Sequence, residues 1–188
     1  MLRILRMIFE ERNEQESQSD PAEHAGRMVL VLDLKGEECL RTSEIPDLAA
    51  KLETALPGIF PQSDDMYAHV CGTGEAQHAF REEIERGTTV VHLLEHVILH
   101  LLGRSNGRCG GFSGQRSVDQ ERGIKNHYYI VTDYTDKLQA VVAAELAFHL
   151  VSAWMSNRTV RLDADAIAKS VSYRIEGMLA PDERSDAD

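Results

Sequence analysis

Apolar positions along the chain follow two periods. Residues 27–36, RMVLVLDLKG, form a leucine- and valine-rich run closed by Gly36, and residues 2–9, LRILRMIF, combine alternation with aliphatic bulk. Both patterns predict strands. MYAHVCG at 66–72 and NHYYIVTDY at 126–134 predict two more. Elsewhere the spacing is helical. Ile45, Leu48, Leu52 and Leu56 recur at three- and four-residue intervals across 44–56, with Pro46 suited to a first turn. QHAFREEIER at 77–86 predicts an amphipathic helix stopped by Gly87. Thr88 or Thr89 can cap the next helix, which runs to Gly103. Residues 136–155 predict a long apolar helix and 163–179 another.

Between these elements, residues 10–26 are polar and acidic with no apolar face, and they predict a flexible connector. Residues 103–116 read as a glycine-rich loop, and 181–188 as an acidic disordered tail. Strands and helices mix without regular βαβ alternation. The expectation is one α+β domain over 1–180, an antiparallel sheet with helices packed on one face.

Composition narrows the function. The chain has 188 residues, enough for one well-filled core, and 43% of them are hydrophobic against 27% charged. The formal net charge of −11 argues against nucleic-acid or anionic-membrane binding, which need basic surfaces, and mildly favours cationic partners. No uninterrupted apolar run reaches the roughly 20 residues of a membrane span. The N-terminus lacks a small-residue cleavage site. Cys39, Cys71 and Cys109 are odd in number and far apart, unlike a disulfide framework. A cytoplasmic location is expected.

One stretch carries chemistry. VVHLLEHVIL, residues 90–99, places two histidines and a glutamate in an otherwise aliphatic segment. On a helix, residues four apart differ by about 40° in projection and residues three apart by about 60°. His92, Glu95 and His96 therefore share a face. A helix apolar nearly all round is a buried helix, and buried charge needs a partner or a metal. His-x-x-Glu-His is the inverted zincin order, in which both imidazoles ligate one zinc ion and the glutamate is the general base toward water. A structural His–Glu pair is the plainer alternative.

The remaining ligand must come from elsewhere. His100 continues the stripe, but it lies about 12 Å from His92 along the axis, too far to share an ion, and is assigned to the surroundings of the metal, to substrate or to a structural role. His69 and Cys71, two apart on a strand, point to one side, and thiolate is a good zinc ligand. Against this, a free cysteine is commonly a small buried hydrophobe. Glu145, on the apolar helix, is a rival ligand of the kind that pitrilysin-type peptidases take from a distant helix. Arg116 in the glycine-rich loop is a candidate for binding a substrate carboxylate, although a surface arginine is the commoner role. The loop lacks the lysine and spacing of a phosphate-binding loop. His127 and His149 read as ordinary histidines.

These residues bear a family likeness. From MLRILRMIF through MVLVLDLKG, EIPDLAAKLETALPGI, HVCGTG, FREEIERGTTVVHLLEHVILHLLG, GGFSGQR and YYIVTDY, the chain resembles the N-terminal domain of cyanophycin synthetase over about residues 1–157. The most specific block holds Phe80, Gly87, Thr88, His92, Glu95, His96 and Val97. In that family the domain binds a polymer of aspartate and arginine, and in some members it also cuts the polymer internally with a metal-dependent site. The resemblance implies that His92 and His96 are ligands, Glu95 the base, and Cys71, with His69, the matching strand position. It further implies a fold similar to pitrilysin-type domains and S-ribosylhomocysteine lyase, whose two-histidine, one-cysteine metal set favours Cys71 over Glu145.

The likeness has gaps. Gln77, His78 and Ala79 replace the family's glycines before the phenylalanine, Val91 replaces another glycine, and His100 stands where an acidic residue is common. The arginine-rich turn is reduced to Gln115-Arg116-Ser117. A chain of 188 residues is not expected to hold the ATP-using synthetase modules.

The function expected is therefore that of a zinc-dependent, endo-acting hydrolase of amide bonds in a peptide or cyanophycin-like polymer, using one Zn2+ ion. The alternatives are a non-catalytic polymer- or protein-binding module, or a structural zinc protein closed by His69, Cys71, His92 and His96. Apolar helices are also compatible with a homodimer.

Overall fold

A computed structural model describes residues 2–11, 26–34, 41–60, 70–71, 78–105, 114–118 and 127–158. For Val70–Cys71, His78–Ala79 and Gly114–Val118 the description is of the backbone. Among these residues, β1 (Leu2–Glu11), β2 (Gly26–Leu34), β5 (Gly114–Val118) and β6 (His127–Tyr134) form an antiparallel sheet ordered β1-β2-β6-β5. A separate small ladder joins β3 (Val70–Cys71) to β4 (His78–Ala79).

The strand pattern explains which face of the sheet is covered. On β2, Met28, Leu30 and Leu32 are fully buried, and β6 sets Thr132, Ile130 and Tyr128 opposite them. On β1 the inward positions are Leu2 and Ile4, then Met7 and Phe9. That change of parity has a structural cause. Ile4 pairs with Leu32 while Arg6 pairs with Val31, so Leu5 is an extra residue in the ladder. Such a bulge shifts every later side chain to the other parity. Leu5 and Ile8 are left 43% and 42% exposed. Arg27 and Asp133 pair across the ladder at 3.4 Å, both at the alternate positions that avoid the core.

The helices supply the other layer. A 3-10 turn at Thr42–Glu44 precedes α1 (Leu48–Ala55), which buries Leu48, Leu52 and Ala55. The expected helix over 44–56 thus starts late. Proline disfavours helical backbone in the residue before it, and Pro46 follows Ile45, which is extended here. Next come α2 (Phe80–Arg86), α3 (Val90–Ser105) and α4 (Lys137–Met155). Helix α3 packs against α4, β5 and β6, and its Val90, Val91, Leu93, Leu94, Val97, Ile98, Leu101 and Leu102 are all buried. The α+β architecture is the expected one.

Helix α4 packs against α3, and many of the side chains it buries are small. Ala140, Ala143, Ala144 and Ala147 are buried on it, followed by Leu150, Val151 and Trp154. Its first turn is capped by Asp136, whose Oδ1 accepts from the Gln139 N–H at 2.8 Å. The Lys137 ammonium lies 4.8 Å from the Phe9 ring centroid, tying the helix to β1. By length and composition α4 could cross a membrane, which the absence of an uninterrupted apolar run did not anticipate. Its alanines and Trp154 instead belong to the common core with α3 and the sheet.

Two sequence expectations need adjustment. Residues 114–118 are an edge strand, not glycine-rich loop, because they pair with β6 from Gly114–Thr132 to Val118–Tyr128. The expected strand over 66–72 is described only at Val70–Cys71. The connector, the helix at 163–179 and the tail at 181–188 lie outside the described residues.

The close α3–α4 approach is testable by adding bulk where there is none. Ala144→Leu should lower stability by about 1–3 kcal/mol, since a fully buried position has no space for the added bulk. Urea unfolding reads this directly, and an unchanged midpoint would mean that Ala144 does not sit in a tight contact.

Candidate metal centre

The site is built on the corner between α2 and α3. Helix α2 ends with the Gly87 N–H bonded to the Ile84 carbonyl at 3.3 Å and the Thr88 N–H bonded to the Glu83 carbonyl at 3.1 Å. This is a Schellman closure, and it needs a left-handed residue at its centre. Gly87 supplies it, with φ of 94°. A Cβ there would also meet Ser43 Oγ at 2.5 Å, so the position is closed to larger residues twice over.

The chain then turns into α3 through two threonines with separate tasks. Thr89 caps the helix, its Oγ1 accepting from the His92 N–H at 3.3 Å. Thr88 is held by the segment before α1. Its carbonyl accepts from the Thr42 N–H at 2.9 Å, and its own N–H also reaches Thr42 Oγ1 at 2.9 Å. Thr42 Oγ1 in turn donates to the Ile84 carbonyl at 2.9 Å. Thr42 and Thr88 are both buried.

On the first two turns of α3, His92, Glu95 and His96 are 7%, 5% and 6% exposed. The two Nε2 atoms face each other at 3.0 Å, and His92 Nδ1 lies 2.8 Å from Thr88 Oγ1. The His96 ring stacks on Phe80, with centroids 3.6 Å apart and planes within 8°. Phe80 meets His92 edge-on at 6.0 Å and Phe60 at 5.6 Å, while the Arg81 guanidinium lies 5.3 Å from the Phe60 centroid. His96 is thus flattened against an aromatic wall, with its Nε2 directed at His92.

Two protonation patterns satisfy this geometry. In the first, one Nε2 carries a proton and donates it to the other. In the second, both Nε2 lone pairs face one cation. A point about 2 Å from each nitrogen exists when they are 3.0 Å apart, which is the zinc–imidazole distance. Imidazole nitrogens are donors of the kind that zinc takes. Among the described residues no group of three metal-binding side chains assembles, so a third ligand is not part of the described cluster.

The other candidates fall in different places. Glu145 is exposed on α4 and is not grouped with the histidines. Cys71 stands opposite His78 in the β3–β4 ladder, and β4 runs directly into Phe80, so its backbone approaches the histidine corner. Its side chain and all of His69 lie outside the description. His100 is half-buried one turn beyond His96. Arg116 stands opposite Ile130 on β5, a strand against which α3 packs. His149 is exposed beside Phe148, and His127 begins β6. Periodicity missed the contacts of Thr88 and Phe80. The spacing of Thr88 and His92, four residues, was the available signal for the first. Phe80 comes from another helix, and nothing local announces it.

The chain matches the family model for the cyanophycin synthase-like N-terminal domain over residues 29–156. It belongs to that family, and the matched span contains the whole α2–α3 corner. No curated protein matches the chain.

The corner should be intolerant of a side chain at Gly87. Gly87→Ala is expected to cost about 1–2 kcal/mol from the left-handed backbone alone, with the contact to Ser43 adding to it. Thermal unfolding beside a Ser43→Ala/Gly87→Ala double variant separates the two causes, because the double variant relieves the closest contact, that with Ser43 Oγ, and leaves the backbone strain.

Proposed function

We propose that this member of the family is a metal-dependent amide hydrolase, with a single zinc ion held by His92 and His96 and with Glu95 as general base. One observation carries the reading: two buried imidazole nitrogens converge at 3.0 Å with a buried carboxylate on the same helix. That donor set follows the inverted zincin order.

A bound zinc ion would polarise the scissile carbonyl and make water more acidic. The protein's own part is proton movement and exclusion of bulk water. A Glu95 carboxylate oxygen takes a proton from the attacking water as its oxygen bonds to the carbonyl carbon. The same oxygen then delivers that proton to the departing nitrogen as the C–N bond breaks, leaving a carboxylic acid and an amine. Phe80 covers one face of His96 and keeps the ring from rotating.

Cys71 is the third ligand we favour, since β3 is laddered to the strand that leads into Phe80, whereas Glu145 faces solvent. His69 remains the neighbouring candidate on that segment. The substrate is a peptide or an aspartate–arginine polymer. A net charge of −11 favours an arginine-bearing one, and Arg116 would bind a carboxylate of it. A non-catalytic binding module is favoured only if the two histidines bond directly to each other with no ion.

Metal content and turnover decide between these. Wild-type protein is expected to carry stoichiometric zinc and to cleave cyanophycin or members of a peptide panel. Glu95→Gln should keep the zinc and lose about 10²–10⁴-fold in rate, the usual contribution of a general base. Wild type without bound metal, assayed under conditions that avoid stripping, sinks the proposal. Zinc with no cleavage of any substrate leaves the binding module as the better reading.

A further inference from the structure

Thr88 is the buried residue whose contact the proposed chemistry does not use. Its hydroxyl reaches His92 Nδ1 at 2.8 Å. Helix capping does not explain this, because Thr89 performs the cap. Packing does not require it either, since valine has the same shape. The main chain of Thr88 is fixed on both sides, its N–H by Glu83 and Thr42 and its carbonyl by the Thr42 N–H. Every constraint on that backbone is met without the hydroxyl, which is left for the imidazole.

We infer that Thr88 is a positioning residue, which holds the proton of His92 on Nδ1 and so presents the Nε2 lone pair to a metal ion. The inference rests on the zinc reading above and extends it to what sets the affinity of the site. A histidine that ligates through one nitrogen commonly gives the other N–H to a fixed acceptor, and losing that acceptor weakens metal binding. Here the residue that carries the hydroxyl is itself anchored through its main chain. The Thr42 hydroxyl takes the Thr88 N–H and donates to the Ile84 carbonyl, so the segment before α1 and the end of α2 jointly aim one side chain. His96, for its part, is stacked on Phe80.

The full chain, stripped of metal, is titrated with zinc in competition with a chromophoric chelator. Thr88→Val should bind zinc about 10–100-fold more weakly than wild type, and Thr88→Ser should restore affinity close to wild type. In parallel, the metal-free proteins are compared by ¹⁵N NMR of the imidazoles. The His92 proton is expected on Nδ1 in wild type and in the serine variant, and redistributed toward Nε2 in the valine variant. If the valine variant does not fold, Thr88→Ala removes the hydroxyl without adding bulk and carries the same comparison. Equal zinc affinity in wild type and hydroxyl-free variants overturns the role of Thr88 and leaves the zinc reading standing. A wild type that binds no zinc overturns both.

Discussion

Burial of Glu95 beside two imidazoles is the constraint on which the rest depends. Removing a carboxylate from water costs several kcal/mol unless a partner or an ion compensates. Helix α3 accepts that cost in the centre of the domain, where its other faces are closed by the sheet and α4. The surroundings serve to keep three polar groups in register. Gly87 allows a turn tight enough to bring Phe80 over His96, and Thr89 fixes where the helix begins. A shift of the start by one residue would rotate the histidines about 100° away from Phe80.

The two imidazoles are held by unlike means. His92 is hydrogen-bonded at its far nitrogen, and the residue it meets is anchored by hydrogen bonds that run back to Thr42. His96 is held by shape, its ring parallel to Phe80. One constraint is a hydrogen bond to a ring nitrogen and the other a stack that sets the ring plane. Together they leave the Nε2 atoms facing each other in a site walled by aromatic and aliphatic carbon, where electrostatic interactions are stronger than in water. The sheet contributes rigidity from behind. Its inward residues Met28, Leu30, Leu32 and Ile130 are fully buried in the same core as α3, so the helix has little freedom to tilt.

Legibility differed by element for physical reasons. Strands β2 and β6 were plain because their pattern of inward and outward residues is regular, whereas β1 mixed two parities because of the bulge at Leu5. Strand β5 was invisible. GQRSV has little intrinsic strand character, and it exists because β6 offers an unpaired edge. Helix α4 was read correctly as apolar and helical, yet its alanines gain their meaning from the close approach of α3.

By itself, the sequence determined the α+β class, the apolar helix α3 and the shared face of His92, Glu95 and His96, since all three follow from local periodicity. It also marked Gly87 as a stop, because only a left-handed residue ends α2 in this way. Tertiary structure alone decided that Phe80 stacks on His96, that Thr42 anchors Thr88, that Arg116 sits on an edge strand and that Glu145 faces solvent. Each of these joins residues on different elements or depends on what covers a face. Helical and strand periods describe one segment at a time, and they carry no information about which segment lies across the gap.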